Sequence, residues 1–440
     1  MESAHSLTDT ERRVLDSIDV PGILADLREL VAIPSVGGTA GEQEAQQWCA
    51  SRLASLDLRV DHWRIDLDEL AAEEDFPGQE VVRDTAFGCV GVLGNPHEEP
   101  ALLLSGHTDV VPPGDLELWP DRDPYTLRLQ QDRERGGRER GGIAAGRGTC
   151  DMKGGLAAVF GALAALRTAE VRLRRPLAVH TVPAEEDGGL GAFATLRRGH
   201  RGAACVLAEP SDGAIVAANA GSLTFRLEVP GYGTHGATRT RGVNAVEKLS
   251  GLLPVLRELE TRRNADADPL LAHLESPYPL SIGVVRAGDW ASTVPDLAIA
   301  EGRFGVRLDE KVAEAKTDFA DTVARACAAD PWLSEHPVRV SWPGGVFAAG
   351  RLPEGHPLLG ETRDAVESAG AARPEALGAP YGTDLRHYAA AGIPTLQYGP
   401  GNVRYAHAHD EHVAVAELEH AARTYALLAI RRCGVAEESS

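Results

Sequence analysis

The stretch PLAVHTVPAEEDGG, residues 176–189, decides the fold. Its first half is an apolar run in which Leu177, Ala178, Val179 and Val182 leave no polar alternation. A strand with one wet face alternates, whereas a strand apolar throughout is covered on both sides, as in parallel sheets between helices. Its second half sets Glu185, Glu186 and Asp187 directly after that strand, followed by two glycines. Open α/β sheets place their ligands at the carboxyl ends of strands. Adjacent carboxylates held there repel one another unless a cation lies between them.

The same reading extends outward in both directions. LRVDHWRI (58–65), AFGCVGVLG (86–94), ALLLSGH (101–107) and ACVLAEP (204–210) read as strands. Helices are expected over 11–31, with a break at Pro21, and over 42–56, 152–168 and 189–199. Strands alternating with helices predict an α/β class, with a mostly parallel sheet and helices on both faces. The pattern changes after about residue 220. SLTFRLEVPG (222–231) alternates, and a helix over 243–263, strands LSIGVVRAG (280–288) and LAIAEGRFGVRL (297–308), and a helix over 309–329 follow. This predicts a small α+β sandwich inserted in the chain. From about 348 the α/β character returns, with helices over 356–369, 383–391 and 413–431 and the strand PTLQYG (394–399). The expected domains are a discontinuous catalytic domain, 1–220 and 348–440, and an inserted domain, 221–347. QDRERGGRERGG (131–142) is charged and rich in glycine, and reads as a solvated, mobile surface loop.

The 440 residues hold 44 Lys and Arg against 65 Asp and Glu, a formal net charge of -21. A field of that sign argues against nucleic acid and anionic membrane surfaces as partners. No run of ~20 apolar residues offers a membrane span. MESAHSLTDTERR has no apolar core, so no signal peptide is expected and a cytoplasmic location fits. The cysteines Cys49, Cys89, Cys150, Cys205, Cys327 and Cys433 are scattered, with no CxxC pair. Neither a disulfide framework nor a thiolate zinc site is expected, so any metal must be held by histidine and carboxylate.

Five segments supply such ligands. SGHTDVVP (105–112) brings His107 at a strand end, with Asp109 two residues on, able to hold the other ring nitrogen. GRGTCDMKGG (146–155) brings Asp151, which taken alone reads first as a helix N-cap, and Gly154 and Gly155, which signal close packing. Cys150 reads as a small buried thiol rather than a ligand. The acids at 185–187 follow, then Glu209 in LAEPSDG (207–213), then the histidines of AHAHDEHV (406–413). Together they suffice for two metal ions. Mixed imidazole and carboxylate ligands suit zinc. Two such ions ~3.5–4 Å apart can share a carboxylate and a water, whose proton a nearby free carboxylate takes.

SGHTDVVP, GRGTCDMKGG and the EED segment resemble the signature blocks of the di-zinc amidohydrolases. That family includes acetylornithine deacetylase, succinyl-diaminopimelate desuccinylase, aminoacylase and the glutamate carboxypeptidases. The likeness spans nearly the whole chain and is strongest to the deacetylase and desuccinylase branch. It implies that His107 and Glu209 bind one zinc, Glu186 and His407 the other, and that Asp151 bridges both. Glu185 would be the general base and Asp109 the partner of His107. His407 is preferred to its rival His409 because the family's last histidine stands four residues before a glutamate, here Glu411. GYGTHGATRTRGVNAV (231–246) resembles the family's lid segment, whose histidine, here His235, stabilises the oxyanion. Where the family often has an Asn-Val-Val-Pro-like element, this chain has Ser292-Thr293-Val294-Pro295, without the asparagine. Arg307, or alternatively Arg303, would grip a substrate carboxylate through the two-pronged geometry of arginine. Both also read as plain strand-surface charges. Thr383, Asp384 and Arg386 would line the substrate pocket.

The resemblance further implies a ferredoxin-like lid and dimerisation domain, a homodimer, and two Zn2+ per subunit, for which Co2+ can substitute. The implied activity is hydrolysis of the amide of a small N-acyl amino acid, by a water shared between the metals whose proton Glu185 takes. The alternatives are a di- or carboxypeptidase of the same family and a non-catalytic binding protein.

Overall fold

The strand Leu177–Val182 lies inside a mixed sheet, buried at every residue, as is its neighbour Leu102–His107. In the computed structural model, which describes residues 7–133 and 139–436, the strand order runs Arg59–Arg64, Phe87–Leu93, Leu177–Val182, Leu102–His107, Cys205–Leu207, Thr395–Gln397, Ile215–Asn219. The run from Leu177–Val182 to Thr395–Gln397 is parallel. Both flanks are antiparallel. The apolar strands sit in the parallel middle, where both faces are covered. Their carboxyl ends therefore emerge side by side, and those ends carry His107, Glu185, Glu186 and Glu209.

Helices flank this sheet, and one of them fixes the site. Lys153–Thr168 is buried along nearly its whole length. Its small residues let it lie close to a strand end and to the helix Val20–Ala32. A Cβ on Gly155 would stand 1.9 Å from the Ala208 carbonyl oxygen, and one on Gly161 2.5 Å from the Ile23 side chain. The side chain of Asp151 does not cap this helix, whose N-cap is Met152. The long apolar segment at the start divides as its sequence suggests. Asp9–Asp16 begins in a capping box between Thr8 and Glu11, and Val20–Ala32 carries Pro21 in its first turn, where the missing N–H costs nothing.

The chain divides into two units, Met1–Ala217 with Arg351–Leu377 and His387–Ser440, and Ala218–Gly350 with Gly378–Arg386. The segment Gly378–Arg386, read from the sequence as part of the first domain, groups with the second. The second unit follows the order strand, helix, strand, strand, helix, strand: Gly221–Pro230, Ala245–Asn264, Leu280–Ala287, Leu297–Val306, Val312–Ala329, Arg339–Ser341. Its antiparallel sheet is ordered Leu280–Ala287, Leu297–Val306, Gly221–Pro230, Arg339–Ser341, the ferredoxin-like arrangement. Gly221–Pro230 alternates buried and half-buried residues. Leu223, Phe225, Leu227 and Val229 meet Leu252, Leu256 and Phe319 of the two helices in one core.

The expected loop over 131–142 is corrected at its flanks. Arg128–Arg133 and Glu139–Ala145 pair as an antiparallel hairpin, and Ile143–Ala145 also pairs with His412–Ala414. Residues 134–138 lie outside the described residues. All six cysteines are free and buried. Among the described residues, no helix is long and apolar enough to cross a membrane.

Candidate metal centre

His107 ends its strand with its ring buried, and its backbone N–H donates to the Met152 sulfur. Its Nδ1–H donates to the carbonyl oxygen of Asp109 at 3.0 Å, which turns Nε2 toward Asp151 Oδ1, also at 3.0 Å. Nε2 lies 3.8 Å from Glu209 Oε1. The Asp109 carboxylate, expected on the ring nitrogen, is 3.6 Å from it and is used elsewhere. Its two oxygens accept the backbone N–H groups of Glu185 and Glu186, each at 3.2 Å. One aspartate thus fixes the histidine through its main chain and the paired glutamates through its side chain. The turn between them is tight. Ala184 sits at φ 60 and Gly188 and Gly189 also take positive φ, so the chain reverses at once after the strand and points both glutamates out of it.

His407 approaches from the other side. Its Nε2 is 3.0 Å from Glu186 Oε1 and 3.5 Å from Asp151 Oδ2. Asp151 therefore turns one oxygen to each histidine. His107, Asp151 and Glu186 offer ligand atoms that all lie within 4.8 Å of one another. His407 has a positive φ of 64. His409 is not at this cluster; it lines a separate hollow of about 340 Å³ with Trp119, Arg128 and His412.

The electrostatics follow from packing so many acids together. Side-chain hydrogen bonds that His407 donates to Asp151 and Glu186 push it up to about 10. Burial alone would lower His107, but Glu209, Asp151 and Asp109 overcome it and raise it well above the usual imidazole range. Burial raises Glu186, and the Asp151 charge adds to that. Asp151, buried yet bonded by both imidazoles, is held well below the usual carboxylate range. Without metal, protons on the two histidines offset part of this negative charge. A divalent cation does the same work and displaces those protons. The donor set of imidazole nitrogens and carboxylate oxygens, with no thiolate, fits zinc-like cations.

The second unit holds the other expected residues. His235 is exposed, and its Nδ1 accepts the Ala237 N–H at 3.1 Å. Arg307 Nε donates to Asp309 Oδ1 at 3.1 Å. Arg303 is half-buried and donates to the Pro380 carbonyl oxygen at 2.6 Å, and burial lowers its pKa. Thr383, Asp384 and Arg386 are buried. Arg386 donates to the Thr383 carbonyl oxygen at 2.7 Å and lies over the Phe347 ring.

Residues 103–431 match peptidase family M20/M25/M40. The chain belongs to that family. Succinyl-diaminopimelate desuccinylase of Stenotrophomonas maltophilia is 31% identical over 410 residues, covering 89% of this chain and 94% of that protein. N-formyl-4-amino-5-aminomethyl-2-methylpyrimidine deformylase of Halalkalibacterium halodurans is 26% identical over 423 residues, covering 90% and 91%. Among solved structures, the di-peptidase Dug1p of Saccharomyces cerevisiae superposes with a TM-score of 0.71 at 16% identity, covering 98% and 99% of the two chains, a shared fold. As an M20-family member with this cluster, the chain is a metal-dependent hydrolase.

Three features of this M20 site escaped the sequence reading. Asp187, the third acid of the EED segment, points away from the cluster to Arg83, whose Nη1 and Nη2 reach its oxygens at 3.0 and 2.9 Å; Glu42 is the guanidinium's other partner. Lys153, fully buried, donates to the Leu30 and Ile33 carbonyl oxygens at 2.9 and 2.8 Å, where Val20–Ala32 ends and cations are favoured. Arg147 forms a buried ion pair with Glu411. Only Glu411 carried a signal, through its spacing from His407.

Proposed function

We propose that this chain hydrolyses the amide bond of an N-acyl amino acid, with two divalent metal ions, zinc or cobalt, held by His107, Asp151 and Glu209 and by Asp151, Glu186 and His407. The observation that carries the reading is the split use of Asp151, with Oδ1 3.0 Å from His107 Nε2 and Oδ2 3.5 Å from His407 Nε2. A carboxylate facing two separate imidazoles in this way suits a bridge between two ions. When bound, such ions polarise the scissile carbonyl and lower the pKa of water.

Glu185 lies next to Glu186, is 7% exposed, and is aimed by its N–H bond to Asp109. It is left outside both ligand sets, which suits it to take the proton of the attacking water on its carboxylate and pass it to the leaving nitrogen. Asp109 positions both His107 and this base. Within the second unit, Arg303 is a better carboxylate clamp than Arg307. Arg307 already has Asp309, while among the described residues the acceptor bonded to Arg303 is a neutral carbonyl, so a substrate carboxylate would supply a counter-charge. The desuccinylase and deformylase relatives are named for removing acyl groups from nitrogen, which supports the N-acyl class. We also propose a homodimer, supported by the edge strand Leu280–Ala287, which exposes Val284 and Val285 near Trp290 in sequence.

Chelation followed by dialysis should abolish hydrolysis of N-acetyl and N-succinyl amino acids, and zinc or cobalt should restore it. Glu185→Ala should bind metal as the parent does and lose turnover. Full activity of the metal-free chain, or normal turnover of that variant, removes the reading. Dipeptides assayed in parallel separate deacylase from peptidase.

A further inference from the structure

Arg147 Nη1 and Glu411 Oε2 lie 2.6 Å apart with side chains 2% and 1% exposed. Burying two charges costs desolvation, and such a pair is poor evidence of stability in itself. Its other bonds indicate a use. Glu411 Oε1 accepts the backbone N–H groups of Cys150 and Asp151 at 3.0 and 3.1 Å. Arg147 donates to the carbonyl oxygens of Ala408 and His407 at 3.2 and 3.3 Å, and to that of Pro112 at 3.4 Å. Its guanidinium is also held over the Trp119 ring, 5.0 Å from the centroid.

The arrangement is reciprocal. Arg147 belongs to the loop that carries Asp151 and grips the loop that carries His407. Glu411 belongs to the His407 loop and grips the Asp151 loop. The two loops are about 260 residues apart in sequence. His407 itself sits at a positive φ of 64, a conformation a histidine keeps only when its surroundings impose it. The Arg147 bond falls on the carbonyl of that same residue.

We propose that Arg147 and Glu411 are positioning residues. They set the separation of Asp151 and His407 and thereby the affinity for the cation that these two side chains share with Glu186. Neither touches substrate or cation. The inference rests on the two-ion reading above and deepens it.

The test uses the full chain, stripped of metal and titrated with Zn2+ against a chromophoric chelator, and with Co2+ by its visible spectrum. Wild type is compared with Glu411→Ala, Glu411→Gln and Arg147→Lys. The affinity of the ion held by Asp151, Glu186 and His407 should fall about 10- to 100-fold in Glu411→Ala, as for other groups that orient ligands, and that of the ion held with His107 and Glu209, which shares only Asp151, should fall less. Glu411→Gln keeps an oxygen for the two N–H groups and should recover part of the loss. Arg147→Lys keeps the charge but not the fork and should weaken the same ion. If Glu411→Ala does not fold, the other two variants carry the test on the same readout. A lower unfolding temperature of the metal-free variants, with both affinities within threefold of wild type, means a merely structural pair and overturns the inference. Wild type that binds fewer than two ions overturns the two-ion reading and this inference with it. Wild type that binds two, with variants that bind two equally tightly, overturns this inference alone.

Discussion

Gly155 stands where the helix that follows Asp151 crosses the strand end that leads to Glu209, and Gly155→Ala should damage both stability and metal binding. The added Cβ would lie 1.9 Å from the Ala208 carbonyl oxygen and 3.0 Å from the Ala208 carbonyl carbon and Cβ. To reach an ordinary separation the helix and the strand end must part by more than ~1 Å, in a region packed as densely as a crystal. The obstacle is backbone, so no side chain can swing aside. Ala208 has little room to retreat either, because the Gly399 backbone packs against the same oxygen so closely that a Cβ built there would stand 2.4 Å from it. Overpacking of this kind costs about 3 kcal/mol. Alanine's advantage within a helix returns about 1 kcal/mol of that. The net loss of about 2 kcal/mol lowers the unfolding temperature by about 2 °C at this size.

The measurement is thermal unfolding of metal-free protein, so that bound ions do not mask the loss. Gly251→Ala provides the contrast. Gly251 lies within Ala245–Asn264 with nothing within 4 Å of its would-be Cβ, so alanine there should stabilise by about 0.5–1 kcal/mol. Because Gly155→Ala moves Asp151 relative to Glu209, zinc affinity should also drop, about 10-fold or more. An unfolding temperature at or above wild type for Gly155→Ala, with zinc binding unchanged, would refute the packing argument. Equal effects of the two substitutions would do the same.

Three further outcomes are expected. Loading the metal-free chain at pH 8 should release about two protons, because His107 and His407 are both raised, the latter to about 10. Unperturbed imidazoles would release only about 0.06, so calorimetry in buffers of different ionisation enthalpy decides between the two. The stability of the metal-free chain should fall with rising pH. His407 contributes fully below its unfolded value of about 6.5 and loses that contribution as pH climbs toward about 10, so a flat unfolding temperature from pH 7 to 10 would contradict the assigned contacts. Arg303→Lys should raise KM for an N-acyl amino acid about 10-fold or more, whereas Arg307→Lys, already neutralised by Asp309, should stay within about threefold; the reverse order would restore Arg307 as the clamp.

What the sequence disclosed is what strand burial disclosed. Apolar runs ending in acids or histidine marked the parallel middle of the sheet, so His107, Glu185, Glu186 and Glu209 could be read off. What it hid is where each second hydrogen bond goes. Asp109 looked like a partner for the His107 ring, yet its carboxylate serves the Glu185 and Glu186 N–H groups and its carbonyl serves the ring. Asp187 looked like its two neighbours but pairs with Arg83, about 104 residues away. Arg147, between two glycines, had nothing local to mark it. Residues 131–142 were read as loop because charge and glycine dominate their composition, whereas Arg128–Arg133 and Glu139–Ala145 pair as strands. The hairpin's pairing with His412–Ala414 is set by a distant partner that no local window contains.

The formal charge around Asp151 bears on how many ions the cluster takes. Asp109, Asp151, Glu185, Glu186 and Glu209 bring five carboxylates, and His107 and His407 bring two imidazoles. With both imidazoles protonated, the five acids and two cations sum to -3. One divalent ion on one neutral histidine, with the other still protonated, leaves -2. A second ion brings the cluster to -1, in a chain whose overall charge of -21 makes every uncompensated acid costlier. The Arg147 and Glu411 charges cancel each other and leave this balance unchanged. The pairing of Glu411 with Arg147 therefore reads as mechanical, and the demand for cations falls on those five acids. That demand ties the proton count to the metal count: a chain that binds two ions at pH 8 must release the protons of both imidazoles, and a chain that binds one should release about one.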